Sequence, residues 1–355
     1  MKSSFALVAI LFVACPTAVS HATDLEAEIG AMLPEHVGAA VLVIRDGETV
    51  LKAGYGVTQI EGGEPCTPQT NFRLASVSKQ FTAAAVLIAA ERGLLSVDDT
   101  LDEFFPGAPA YWSDISVHQL LTHTSGLADY EDLVPEGTKL QLYDQNVLEL
   151  LLGAAEAKLS AGEKWEYSNS GYVLLGLVVE QASGEAFHAF MRKQIFNRLG
   201  MEGSCVFQRG LNQVPHRAFG HVKRGGAWVT EDQSLTSAVR GDGTVYSSVD
   251  DLEKWLGGLG QNELFRQPLR DRMFAPHVQS TRGTDDTPRA YGYGWFIDEH
   301  QGRPRVWHSG STRGFRLRLM VYPDSLSAVA VLMNCEADDP DPGACERIAE
   351  RWVLQ

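Results

Sequence analysis

Arg73-Leu74-Ala75-Ser76-Val77-Ser78-Lys79-Gln80-Phe81 contains the only Ser-x-x-Lys of the chain. Past it, apolar or small residues fall at Phe81, Ala84, Ala85, Ile88 and Ala89. That spacing predicts a helix with one buried face. Gly93 stands where such a helix should stop. Ser76 then lies at or near the helix N-terminus, with Lys79 one turn on and on the same side. A serine hydroxyl is a weak nucleophile until a base takes its proton. A lysine amine kept neutral by burial can be that base. The helix N-terminus leaves the Ser76 N–H free to face a developing oxyanion.

Outward from this stretch, the pattern changes along the chain. Val41-Leu42-Val43-Ile44, the turn Arg45-Asp46-Gly47 and a run from Thr49 predict a hairpin between Val37 and Val57. Ser116-x-x-Gln119 is a capping box that opens a short helix. Residues 128–145 read as a polar loop, long enough to suggest function. Short helices follow at Asn146–Gly153, Tyr172–Ala182, Glu185–Leu199 and Ser247–Leu256, the last capped by Ser248 or Asp250. Residues 202–240 show no period. Tyr291–Ile297, Arg303–His308, Phe315–Tyr322 and Ser327–Asn334 read as successive antiparallel strands, and residues 343–353 as a closing helix.

A lone hairpin is not stable, so one sheet built from both chain ends is expected. The fold class is α+β: an antiparallel sheet flanked by helices, with a helical insertion. The division expected is residues 23–97 with 245–355 as the α/β part, and 98–244 as the mainly helical part. Residues 1–22 read as an export signal: Lys2, an apolar run from Phe5 to Ala14 too short to span a bilayer, and Ser20-His21-Ala22 for cleavage. The expected location is therefore periplasmic or secreted. Cys15 after Phe12-Val13-Ala14 matches a lipoprotein cleavage box poorly, so lipidation is the lesser expectation.

The formal net charge is −15 and no basic stripe is present, which argues against nucleic acid as a partner. No later run is long and apolar enough for a membrane span. The cysteines show no zinc-ligand spacing, no His-Glu-x-x-His occurs, and the ten histidines are scattered. No metal and no cofactor are expected. An α/β-hydrolase is disfavoured by the lack of Gly-x-Ser-x-Gly. Export permits disulfides, and Cys335 with Cys345, flanking an acidic Pro-rich loop, is the expected pair.

Two further motifs carry chemistry. Tyr167-Ser168-Asn169 directly precedes a predicted helix. It reads either as a helix cap beside a packed Tyr or as a phenol that shuttles a proton beside a substrate-orienting amide. A phenol with a pKa of about 10 needs nearby cations for that task. His308-Ser309-Gly310 ends a predicted strand and is followed by Ser311. It reads either as an ordinary strand end or as an edge lining a groove. In the groove, Gly310 admits close backbone approach and the Ser311 N–H supplies a second oxyanion donor.

Ser76-x-x-Lys79, Tyr167-x-Asn169 and His308-Ser309-Gly310, in that order, resemble the three elements of the penicillin-recognising serine hydrolases. The resemblance is to the branch with class C β-lactamases, D-alanyl-D-alanine carboxypeptidases, D-aminopeptidases and esterases. Leu120-Leu121-Thr122-His123-Thr124-Ser125-Gly126-Leu127 and Gly241-Asp242-Gly243-Thr244-Val245-Tyr246-Ser247-Ser248 also resemble segments of that branch. The resemblance implies a β-lactamase/transpeptidase-like fold with the site in a crevice between sheet and helical part. It implies Ser76 as acylated nucleophile, Lys79 as its activating partner, and Tyr167 as general base and then acid. It implies Asn169 as a ligand of the substrate amide, the N–H groups of Ser76 and Ser311 as oxyanion hole, and His308 lining the opposite wall.

One departure matters. His308 stands where class C β-lactamases have Lys, and imidazole with a pKa near 6.5 is mostly neutral at pH 7. This favours peptidase or esterase members over a β-lactamase, unless Arg313 or Arg240 supplies the cation. The expectation is an exported serine hydrolase acting through an acyl-enzyme on D-amino-acid peptides, amides or small esters, with activity rising through neutral pH as Lys79 or Tyr167 loses its proton. The alternatives are a class C-type β-lactamase and a catalytically idle relative that binds peptidoglycan or a partner. The sequence leaves oligomeric state open.

Overall fold

The computed structural model describes residues 27, 28, 30, 31, 37–281, 289–336 and 343–355. The expected export signal, residues 1–22, lies outside them. Fourteen strands are described: β1 Ala39–Arg45, β2 Glu48–Tyr55, β3 Phe72–Arg73, β4 Cys205–Val206, β5 His221–Arg224, β6 Ala227–Thr230, β7 Val245–Ser247, β8 Val278–Ser280, β9 Arg289–Tyr291, β10 Phe296–His300, β11 Arg303–Thr312, β12 Phe315–Tyr322, β13 Ser327–Met333 and β14 Cys335–Glu336.

Eight of them form one antiparallel sheet in the order β2-β1-β13-β12-β11-β10-β9-β8. The N-terminal hairpin joins it through β1 on β13, with Val41 opposite Val331 and Val43 opposite Val329. The hairpin turns through Asp46 and Gly47, both at positive φ, which suits the twist of the paired strands. The strands alternate faces with period two. Ala40, Leu42, Leu317, Leu319, Ala330 and Leu332 face one side and join the main core. Val41, Val43, Met320, Tyr322, Val329 and Val331 face the other and pack with Cys345, Ile348 and Ala349 of the C-terminal helix, Ala344–Trp352. Both faces are covered, so β13 is buried along its whole length.

The helix predicted after Ser76 is Lys79–Glu91, preceded by a 3-10 turn over Ala75–Ser78. It ends at Arg92, with Gly93 left-handed at φ 69°. The expectation of one buried face was too narrow: every residue from Lys79 to Ala89 is buried. Alanine at positions 83, 84, 85 and 89 lets neighbours close in on all sides. The Trp255 ring lies 4.2 Å from Phe81 between centroids, tilted by 32°, and its Nε1–H bonds Gln80 Oε1 at 2.6 Å. This helix packs against the helix Asn169–Ser183, and its Phe81, Ala84 and Ile88 share the main core with Leu42, Leu319 and Ala330 of the sheet.

Several boundaries differ from the sequence reading. Tyr291–Ile297 is two strands, because Gly292 N–H bonds Trp295 O at 2.8 Å and Gly294 takes φ 80°. The turn seats Gly294 against Gln80, where a Cβ would lie 2.7 Å from Gln80 Cα. Glu185–Leu199 is a short α-helix, Phe187–Met191, followed by a π-turn over Arg192–Phe196. The aperiodic stretch 202–240 contains β4, β5 and β6, strands too short to carry a readable alternation. Cys335 and Cys345 are not bridged. Cys335 begins β14, paired in parallel with His221, while the Cys345 thiol lies 3.7 Å from Arg318 O. Residues 337–342 between them lie outside the described residues.

Candidate active site

Ser76 sits in the 3-10 turn, one residue after Ala75, which takes φ 46°. A left-handed conformation at a non-glycine residue costs about 1–3 kcal/mol and persists only where its surroundings impose it. Here they are two. Leu74 N–H bonds Val245 O at 2.8 Å, and Ser78 Oγ accepts from Val245 N–H at 3.1 Å. From the other side β11 presses on the turn through Gly310. The turn is thereby wedged between β7 and β11, and Ser76 is left half-buried.

Lys79 gathers the other pieces. Its Nζ lies 3.3 Å from Ser76 Oγ, 2.8 Å from Asn169 Oδ1 and 3.1 Å from the Asp242 backbone carbonyl. It stands 4.9 Å from the centroid of the Tyr167 ring and 5.5 Å from that of Tyr172. The residue is fully buried. Asn169 Oδ1 and Asp242 O can only accept hydrogen bonds. Lys79 Nζ donates to both and also to Ser76 Oγ. One amine thus joins the Ser76 and Asn169 side chains to the Asp242 backbone. Asp242 reaches the site because Thr82 Oγ bonds Gly241 O at 2.7 Å and holds this glycine-flanked segment across the helix.

Tyr167 and Asn169 are placed by a helix start. Ser168 caps the helix Asn169–Ser183, its Oγ accepting from Gly171 N–H at 3.1 Å. The helix therefore begins one turn earlier than its apolar period indicates. The cap reading is met, and both neighbours of Ser168 lie beside Lys79. The 128–145 stretch contains a 3-10 turn, Tyr130–Leu133, tied to this helix by Tyr130 N–H to Ser170 Oγ at 2.8 Å.

His308 is not at a strand end. β11 continues to Thr312, paired with β12 as His308 to Leu319 and Ser311 to Arg316. Its other neighbour, β10, pairs only as far as Trp307, so residues 308–312 form an edge toward Ser76. His308 is completely buried, with Nε2 3.2 Å from the Tyr291 hydroxyl and Nδ1 2.7 Å from Ser309 O. Its ring centroid is 6.2 Å from that of Tyr167. Ser309 is half-buried, Gly310 buried and Ser311 exposed on this edge. Arg240 does not stand in for a cation: it is held by Asp144 and by Glu180 at 3.1 Å. Arg313 pairs with Glu231 at 3.5 Å and Glu336 at 3.7 Å.

Electrostatics follow burial. Burial pushes the Asp242 carboxyl up to about 7, with the Lys79 charge opposing. Burial likewise raises Asp129 and Glu131 on the 128–145 stretch. Among the described residues no cluster of metal-ligating side chains occurs.

A family model described as Beta-lactamase matches residues 28–351. The chain belongs to the β-lactamase family. It is a serine hydrolase of that family, with the β-lactamase/transpeptidase-like fold. It is 29% identical over 330 residues to penicillin-binding protein 4* of Bacillus subtilis, a match spanning 88% of this chain and 72% of that one. Other curated relatives are matched over 60% of their length. The octameric penicillin-binding protein homologue from Pyrococcus abyssi superposes with a TM-score of 0.79 at 27% identity, covering 94% of this chain and 76% of that one. A D-amino acid amidase from Ochrobactrum anthropi has the same fold, with a TM-score of 0.78 at 23% identity over 92% and 96% of the two chains.

Three contributors were not singled out from the sequence as site residues. Tyr291 meets His308. The Asp242 carbonyl meets Lys79. His123 packs on Tyr167 with ring centroids 4.4 Å apart. His123 and Asp242 lie in the two supporting segments, so position in those segments was the available signal. Tyr291 offered none, since only the turn at Gly294 brings β9 back beside β10.

Proposed function

We propose that this chain is an exported hydrolase that forms an acyl-enzyme on Ser76 and acts on D-amino-acid peptides or amides, or on small esters. The observation that supports it most is the single amine, Lys79 Nζ, within hydrogen-bonding reach of Ser76 Oγ, Asn169 Oδ1 and Asp242 O. Ser76 Oγ attacks the acyl carbon while its proton passes to the Lys79–Tyr167 pair. The oxyanion meets the N–H groups of Ser76 and Ser311. The proton then goes to the leaving nitrogen or oxygen, with Tyr167 as donor. Water repeats the sequence to release the acid and restore Ser76. Asn169 orients the substrate amide, and His308, Ser309 and Gly310 form the opposite wall.

The lack of a lysine at His308 supports the amide and ester reading over a β-lactamase. A substrate carboxylate there would meet a buried imidazole, and both candidate arginines are committed elsewhere. Export rests on residues 1–22. Among the described residues no helix is long and apolar enough to cross a membrane.

The test is labelling by a fluorescent phosphonate and by a fluorescent penicillin, followed by turnover of acyl-D-Ala-D-Ala, D-amino-acid amides, p-nitrophenyl esters and a chromogenic cephalosporin. Labelling should vanish in Ser76→Ala, and amides or esters should turn over faster than the cephalosporin. Equal labelling of Ser76→Ala refutes the nucleophile. A cephalosporin as the fastest substrate refutes the substrate class.

A further inference from the structure

We propose that His123 is a positioning residue for Tyr167, holding the phenol beside Lys79 through a neutral imidazole protonated on Nε2. The proposal rests on the reading of Tyr167 as the proton-transfer group. His123 is 1% exposed and belongs to no part of the Ser76, Tyr167 or His308 motifs. It grips the backbone on both sides of Tyr167. Its carbonyl accepts from Glu166 N–H at 2.9 Å, and its Nδ1 accepts from Ser168 N–H at 3.1 Å. A backbone N–H can only donate, so Nδ1 carries no proton. The ring is therefore neutral, with its proton on Nε2.

The ring plane completes the clamp. His123 lies 4.4 Å from the Tyr167 ring, 5.0 Å from Tyr172, 4.6 Å from Tyr291 and 6.0 Å from Trp165, measured between centroids. The groups facing it from the packed elements are thus three phenols and an indole, with Lys79 beyond the Tyr167 and Tyr172 rings and His308 beyond Tyr291. A charged imidazole here would lose the Ser168 bond and place a second cation beside Lys79. To present both acceptors to N–H groups two residues apart, His123 takes φ 59°, a conformation uncommon outside glycine though accessible to histidine. The same backbone stretch anchors the loop further back, with Gly162 N–H on Thr124 O at 2.8 Å. Residues 123 and 124 act as a template on which the strand-like approach to Tyr167 is laid.

The test compares full-length wild-type, His123→Phe and His123→Asn in p-nitrophenyl ester hydrolysis from acid to alkaline pH, with Tm measured alongside. His123→Phe keeps a stacking ring and loses the acceptor. His123→Asn keeps an acceptor and tolerates the left-handed backbone. His123→Phe should lose kcat by about tenfold or more, with KM nearly unchanged, because a misplaced proton-transfer group forfeits part of its effect. Its pH midpoint should move, and His123→Asn should recover part of kcat and the midpoint. Wild-type kcat and midpoint in His123→Phe overturn the proposal. So does an equal loss in both variants that follows Tm with an unmoved midpoint. Should His123→Phe not fold, imidazole nitrogen NMR of the wild-type protein decides: an unprotonated Nδ1 across the active pH range supports the proposal, and a protonated one overturns it. Phosphonate labelling of wild-type and Ser76→Ala separates the two levels. If wild-type labels and Ser76→Ala does not, a negative His123 result concerns positioning alone.

Discussion

Gly310→Ala is the sharpest probe of how β11 seats the Ser76 turn. A Cβ at Gly310 would lie 2.4 Å from Leu74 O, 2.8 Å from Leu317 Cδ1 and 3.3 Å from Ala75 Cβ. Ordinary contact begins at 3.4 Å, so β11 and the Leu74 carbonyl must part by about 1 Å. The carbonyl cannot swing aside. Leu74 N–H is bonded to Val245 O, and Leu74 O accepts from Val77 N–H at 3.0 Å to close the turn that bears Ser76. The strand edge must move instead, shifting Ser311 and with it the oxyanion hole proposed between the Ser311 and Ser76 N–H groups. Overpacking of this kind costs about 1–3 kcal/mol of stability, and a 1 Å misplacement of reacting groups can cost about a hundredfold in rate. The expected result is a Tm lower by several degrees and second-order phosphonate labelling of Ser76 slower by about a hundredfold, with a stepwise further loss in Gly310→Val. A Gly310→Ala protein that labels at the wild-type rate with an unchanged Tm would refute the close packing of β11 on the Ser76 turn and the oxyanion geometry built on it.

Three other outcomes are expected. Ser168→Ala removes the cap of the Asn169–Ser183 helix, lowering stability by about 1 kcal/mol and kcat more than KM; thermal melts with ester kinetics check both. In Asp242 the folded carboxyl is raised to about 7 by burial, whereas an unfolded Asp titrates near 3.9. The folded protein thus keeps a proton that the unfolded chain releases, and this contribution to stability is full below about 4 and is lost as pH rises toward 7. Asp242→Asn, which keeps the backbone carbonyl on Lys79, should match wild-type Tm in acid and exceed it at pH 8; a constant difference across pH would contradict the shift. His118 and His277 are both lowered, mainly by burial and also by the nearby Arg272 charge, with His118 Nδ1 2.7 Å from the Tyr293 hydroxyl. Their stabilisation is present above about pH 6.5 and lost as pH falls through the depressed values. His118→Gln should flatten the fall of Tm below pH 6.5, and an unchanged slope would count against it.

The local grammar of the chain was legible where one short-range cause sufficed. The β1–β2 turn follows from Asp46-Gly47, the Ser116 cap from its own four residues, and the end of the Lys79 helix from Gly93. Strands β12 and β13 follow from apolar runs bounded by turns. The motifs around Ser76, Tyr167 and His308 could be picked out for the same reason, since each is a local arrangement of side chains on a helix start or a strand. The strands in 202–240 escaped because they are two to four residues long and owe their existence to partners far away, such as Cys335 for β5. The break at Gly292–Trp295 escaped because a continuous aromatic run resembles one strand until Gly294 is seated on Gln80.

By itself the sequence determined the longer helices and strands, the three chemical motifs and the histidine in place of a lysine at 308, because propensity, capping and side-chain chemistry are properties of a few adjacent residues. Only the tertiary structure decided that Lys79 Nζ meets Ser76, Asn169 and the Asp242 carbonyl at once. Only it decided that both arginines are spent on distant carboxylates, and that His123 holds the backbone on each side of Tyr167. Those are contacts across 90 to 163 positions of chain for Lys79 and 45 for His123. Their distances depend on packing Gly310, Gly294 and Gly241 against neighbouring backbone, which no local pattern encodes.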